Sequence, residues 1–112
     1  MKSYLEHYID GAWVASQGGV RHAVIDPATE QPCTEITLGT PADVDAAVAA
    51  ARTAFETYSQ TSVAERAALL ERIIEEYKKR IPDLAQAVSS EMGAPIGFAM
   101  AAQVPAGLGH FL

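Results

Sequence analysis

Hydrophobic and polar positions change grammar once along the chain, near Gly39. Before it they come in short runs: Tyr8 and Ile9, then Trp13 and Val14, flank Asp10-Gly11, a dipeptide suited to the left-handed residues of a tight hairpin turn. Gln17-Gly18-Gly19 separates this hairpin from a strand over Val20 to Ile25. Asp26-Pro27-Ala28-Thr29-Glu30 is a further break, because proline fixes φ and the aspartate can bond its own backbone. Cys33 to Leu38 then reads as one more strand. After Gly39 the period becomes helical. Thr40-Pro41-Ala42-Asp43 supplies an N-cap threonine, a proline at the first helical position and an acid at the third. Val44, Val48, Ala51, Phe55 and Tyr58 follow at spacings of four and three, a stripe that predicts a core-facing side. Ser62-Val63-Ala64-Glu65 is a second capping box, ahead of the apolar face Leu69, Leu70, Ile73, Ile74, Tyr77 and Ile81. Pro82 predicts a kink or the start of another segment, Leu84, Ala87, Val88 and Met92 continue one face, and Gly93 is the expected C-cap. A last helix is predicted from Pro95 onward, weakened at Gly107 and Gly109 by about 1 kcal/mol each relative to alanine.

The expected class is α+β: a strand region over residues 1–39, then three to four helices over residues 40–112. A chain of 112 residues suits one small core. Eight Lys and Arg against 14 Asp and Glu leave a net charge of −6, so the basic stripe that a nucleic acid or an anionic membrane requires is lacking. The most apolar stretch, Ala94 to Leu112, is too short and too interrupted to span a bilayer. The single cysteine, Cys33, cannot form an intramolecular disulfide and points to the reducing cytoplasm. Phe98 to Leu112 holds no Asp, Glu, Lys or Arg, which is unusual for a self-sufficient small domain and suggests a surface built to be covered.

The residue chemistry contains no catalytic constellation. Cys33 lacks a glycine-rich elbow or a following helix start to activate it, and reads as structural. His7, His22 and His110 lack the spacing of metal ligands. The charges of the second helix form a solvated face, with Glu75 expected to pair with Lys79 and Glu76 with Arg80. No phosphate-binding loop of the P-loop or GxGxxG kind occurs.

The order of the elements is nevertheless specific. "YIDGAWV", "VIDPATEQPCTEITLGTPADVDAAVAAARTAFETYS", "SVAERAALLERIIEEYKKRIPDLAQAVSSEMGAPI" and "AAQVPAGLGHF" together resemble the N-terminal part of the aldehyde dehydrogenase superfamily, over essentially the whole chain. The Asp26-Pro27-Ala28-Thr29 turn and the Glu91-Met92-Gly93-Ala94-Pro95 turn carry much of the likeness. The resemblance implies an α/β fold in which these residues belong to a Rossmann-like cofactor-binding domain. It implies an enzyme that oxidises an aldehyde to a carboxylic acid with NAD or NADP, through a cysteine thiolate, a hydride transfer and hydrolysis of a thioester. In the family the nucleophile, the general base and the cofactor site lie downstream, so no catalytic and no cofactor-binding residue is assigned here. The chain alone is expected to be inactive and to bind no cofactor.

Family position further implies that Val104 and Leu108 border the aldehyde tunnel, with plain packing as the alternative. It also implies a monovalent cation held by the carbonyl of Val24 or Ile25 and by the Glu91 carboxylate, where hard oxygen ligands suit an alkali ion. The expected partners are a small-molecule aldehyde and further copies in a homo-oligomer. The competing reading is a stand-alone structural or interaction module that binds a partner through its apolar C-terminal helix. On the family reading, the length marks where a longer chain was cut.

Overall fold

The computed structural model describes residues 2–112. In chain order the elements are β1 (Glu6–Ile9), β2 (Ala12–Ala15), β3 (Arg21–Asp26), β4 (Gln31–Thr37), α1 (Pro41–Tyr58), α2 (Val63–Met92), α3 (Ile96–Phe98), a π-helical turn (Ala99–Gln103) and α4 (Val104–Gly109). The strands thus precede the helices, as an α+β chain requires. By packing, residues up to Val24 group with Pro32–Thr61, and Ile25–Gln31 groups with Ser62–Leu112. The packing boundary therefore differs from the element boundary near residue 39: α1 belongs with the strands, and the turn after β3 belongs with α2.

In the first unit β1 and β2 form an antiparallel hairpin, with Glu6 opposite Ala15 and Tyr8 opposite Trp13. Asp10 and Gly11 both hold positive φ, 54° and 77°, as a two-residue hairpin loop demands. The Tyr8 and Trp13 rings meet edge-on at 5.3 Å. β3 and β4 form a second two-stranded sheet. A parallel bridge from Tyr4 to Ile36 and the bond from Leu38 N to Val20 O at 2.9 Å tie the chain around them. The hairpin lies along the alanine side of α1, where Ile9, Val14 and Ala15 share a shallow concavity with Ala46, Ala49 and Ala50. The side expected to face a core is the opposite one, and it is open: Val44 is 58 % and Phe55 60 % exposed. Small side chains admit the hairpin closely, so the bulky stripe is left outward.

The second unit is built on α2, which begins at a complete capping box. Glu65 N donates to Ser62 Oγ at 3.1 Å and Ser62 N donates to Glu65 Oε2 at 2.6 Å. The Ser62 amide, and after it the Ser62 hydroxyl, hold the Glu65 carboxyl below its ordinary range. Pro82 neither ends nor divides this helix. It sits on the exposed side, so the Lys78 carbonyl that loses its partner can reach water, while Ile81 packs on the core. The exposed charges pair one residue nearer than expected: Lys78 with Glu75 at 2.7 Å, Lys79 with Glu76 at 2.6 Å and Arg80 with Asp83 at 3.1 Å. Ala85 and Ala99 are fully buried and, with Val104, form a small core flanked by Tyr77, Ile81 and Val88.

α2 stops at Gly93, which takes a left-handed conformation (φ 74°) while its N–H bonds Ser89 O at 3.0 Å. A side chain there would also place Cβ 2.9 Å from Pro27 Cγ. Gly93→Ala is therefore expected to cost about 1 to 2 kcal/mol from the backbone conformation alone. Gly109→Ala, where a Cβ would meet nothing within 4 Å, is expected to cost nothing. Chemical denaturation of the two variants side by side measures the difference, and equal midpoints would refute it.

Candidate functional site

Asp43 is the one polar side chain buried among the described residues, at 4 % exposure. It stands at the third position of α1, where an acid both caps the helix and opposes its dipole. Ser16 Oγ donates to Oδ2, Gln17 N to Oδ1 at 2.8 Å and Thr40 N to Oδ2 at 2.9 Å. The Thr40 hydroxyl also lies 3.0 Å from Gln17 O and accepts from Asp43 N at 3.3 Å. These donors, Ser16 foremost and then the Gln17 and Thr40 amides, drive the Asp43 carboxyl far below its ordinary value of 3.8. The cluster thus locks the β2–β3 connection onto the start of α1. It is a structural carboxylate: Oδ2 is fully engaged by Ser16 and Thr40, and Oδ1 is held by the Gln17 amide.

The same occupancy decides whether these residues suit a dinucleotide. α1 is the long helix whose start follows a strand, the setting in which a pyrophosphate is bound by free amides. Here the Asp43 carboxylate already takes that place and its charge would repel a phosphate. The start of α1 is therefore not a free anion site. The sheets, moreover, are separate two-stranded pairs without a crossover helix between parallel strands.

A second cluster joins α2 to the last helix. Tyr77 Oη donates to Val104 O at 2.8 Å, and a Cβ on Gly107 would collide with the same Tyr77 Oη. The Phe111 ring stands 6.2 Å from the Tyr77 ring. One phenol therefore touches residues 104, 107 and 111, a single face of the segment. The π-helical turn just before α4 is accounted for by Pro105, whose ring would collide with the carbonyl four residues back in a regular helix. Gln103 Oε1, at the junction, is buried without a hydrogen-bond partner.

Val104, expected at a tunnel wall, is 3 % exposed and fills the core with Ala85 and Ala99. Leu108, one turn later on the same face, is half-buried. The Val24 carbonyl accepts from Cys33 Sγ at 3.4 Å, so the lone thiol serves a structural contact. Ile25 is exposed, and Glu91 is exposed in the last turn of α2. No group of three His, Cys, Asp or Glu able to hold a metal ion occurs among the described residues. His7 Nε2 meets Thr37 O at 3.1 Å. None of the described helices is long and apolar enough to cross a membrane. The sequence places Tyr77 on the apolar face of α2 without giving its hydroxyl a partner, and does not single out Ser16 at all. The first carried a faint signal, a hydroxyl tip on an otherwise aliphatic face, and the second carried none.

A sequence profile of the aldehyde dehydrogenase family matches residues 13–111. A 3-succinoylsemialdehyde-pyridine dehydrogenase of a Pseudomonas species is 47 % identical over 113 positions, taking in 100 % of this chain and 24 % of its own. An aldehyde dehydrogenase of Bartonella henselae superposes with a TM-score of 0.95 at 42 % identity, covering 99 % of this chain and 23 % of its own. A mutant aldehyde dehydrogenase C of Pseudomonas syringae, in complex with NAD+ and octanal, gives 0.92 at 48 % identity over 96 % of this chain and 22 % of its own. This chain spans about a quarter of the length of the curated relatives it matches.

Proposed function

The chain belongs to the aldehyde dehydrogenase family, and from that membership we propose that it forms the N-terminal portion of an enzyme oxidising an aldehyde to a carboxylic acid with NAD or NADP. The observation that carries the reading is the close superposition, at nearly half identity, on an enzyme solved with NAD+ and an aldehyde. NAD or NADP supplies the hydride acceptor when bound. These residues contribute structure to the cofactor-binding domain: α2 and the locked start of α1 are scaffold, and the nucleophile and the cofactor site lie in other residues of the enzyme. Leu108, with Val104 packed one turn before it, borders the aldehyde passage. The half-burial of Leu108 on a face otherwise filled by core residues supports that placement. The Ile25 carbonyl and the Glu91 carboxylate, both exposed, are the oxygen ligands this chain offers a monovalent cation, and Val24 is the weaker candidate because its carbonyl is engaged. The enzyme works as a homo-oligomer in the cytoplasm, in keeping with a single free thiol.

The competing reading, a module that docks a partner through its C-terminal segment, draws on the exposure of Ile96, Phe98 and Met100. One experiment separates the two. This chain is joined to the part of the Pseudomonas 3-succinoylsemialdehyde-pyridine dehydrogenase that follows the aligned region, and NADH formation is followed with an aldehyde. The hybrid is expected to oxidise aldehyde, and the 112-residue chain alone is expected to give no NADH. A folded hybrid that binds NAD+ but leaves aldehyde untouched would remove the proposal, as would turnover by the chain alone.

A further inference from the structure

We propose that Tyr77 is a positioning residue for aldehyde selectivity: its phenol, seated in the gap left by Gly107, sets where α4 presents Leu108. The proposal rests on the reading that Leu108 borders the aldehyde passage.

α4 has little of its own to hold it. It contains six residues, has no side-chain cap at its start, and begins at Val104 directly after the π-helical turn, with Pro105 second. A helix this short is unstable by itself, so its placement comes from tertiary contacts. The polar contact that α2 makes to it is the Tyr77 hydroxyl on the Val104 carbonyl, at 2.8 Å in a partly buried setting. The fit is tight on the other side as well, since a Cβ at residue 107 would stand 2.4 Å from Oη and 3.3 Å from Cζ. Phe111, beyond α4, lies against the same ring. The phenol therefore fixes both the rotation of α4 and its distance from α2. Leu108 adjoins Gly107 in the chain and lies on the face that carries Val104. A change in either quantity moves its side chain.

The geometry predicts a coupling that simple loss of packing would not produce. Tyr77→Phe keeps the ring and releases the Val104 carbonyl. Gly107→Ala keeps the hydroxyl and pushes α4 away. In the double variant the atom that the new methyl would strike is gone, and the nearest remaining ring atom, at 3.3 Å, can give way. The experiment measures kcat/KM for propanal and decanal, KM for NAD+, and the melting temperature in the hybrid enzyme carrying Tyr77→Phe, Gly107→Ala, both, or Leu108→Ala.

Each single change at 77 or 107 is expected to shift the decanal-to-propanal ratio roughly 10-fold, within the range by which pocket geometry separates homologous substrates. KM for NAD+ stays unchanged. The double variant melts above Gly107→Ala. Leu108→Ala shifts the ratio by itself. If Leu108→Ala leaves the ratio unchanged, the passage reading fails, and the proposal fails with it. If Leu108→Ala shifts it while Tyr77→Phe and Gly107→Ala only lower the melting temperature, the passage reading stands and the positioning role is refuted. Additive melting temperatures in the double variant would also overturn the lock.

Discussion

Asp43→Ala in the hybrid enzyme is expected to free the start of α1 from the β2–β3 connection and to destabilise the first unit more than any other single truncation in it. The change removes the acceptor of the Ser16 hydroxyl and of the Gln17 and Thr40 amides at once. Thr40→Ala, which removes the neutral half of the cap, provides the yardstick at about 1 kcal/mol, and Asp43→Ala is expected to exceed it. The pH dependence gives the effect a signature. Because the folded-state carboxyl titrates far below its unfolded value of 3.8, its contribution is fully present above about pH 4 to 5 and is lost as the pH falls toward the folded value. The melting-temperature gap between the parent and Asp43→Ala should therefore be widest near neutrality and narrow below pH 4. A gap that stays constant to pH 3 would show that the lost contacts are not those of the ionised carboxylate.

The isolated 112-residue chain is expected to bind a hydrophobic dye, to melt broadly and to self-associate as its concentration rises. The basis is exposed area. A compact chain of 11.9 kDa presents about 6,000 Å² to solvent, whereas this one presents 8022 Å². The excess of about 2,000 Å² on this one chain is more than twice the roughly 800 Å² that each partner gives to a standard protein interface. It is also apolar in character, with Trp13, Phe55, Tyr58 and Phe98 each about half exposed. Calorimetry with sedimentation tests this, and a sharp two-state transition in a strictly monomeric chain would contradict it. In the hybrid, dye binding should disappear.

Local chemistry was legible in the sequence wherever a few neighbouring residues decide it. The Asp10-Gly11 loop, both capping boxes and the Gly93 cap all depend on contacts within about four positions, and all formed as the residues predict. What depends on distant partners was not legible. Asp43 signals a helix start, but nothing near it in sequence announces Ser16 and Gln17 as further donors. The stripe from Val44 to Tyr58 has the right period for burial, yet periodicity names a face without naming its cover. In this chain the hairpin chose the alanine side. Gly107 looked like a weak point in a helix and is a seat for a phenol. Pro82 looked like a break, and exposure of its side of α2 let the helix run through.

The π-helical turn over Ala99–Gln103 makes the last helix sensitive to counting. Such a turn holds one residue more than the regular helix it interrupts, and each residue rotates a helix by about 100°. Relatives that differ here by a single insertion or deletion would therefore present another face of α4 toward Tyr77 without any substitution in α4 itself. Length variation at this one point is a route by which otherwise similar chains could diverge in what they admit.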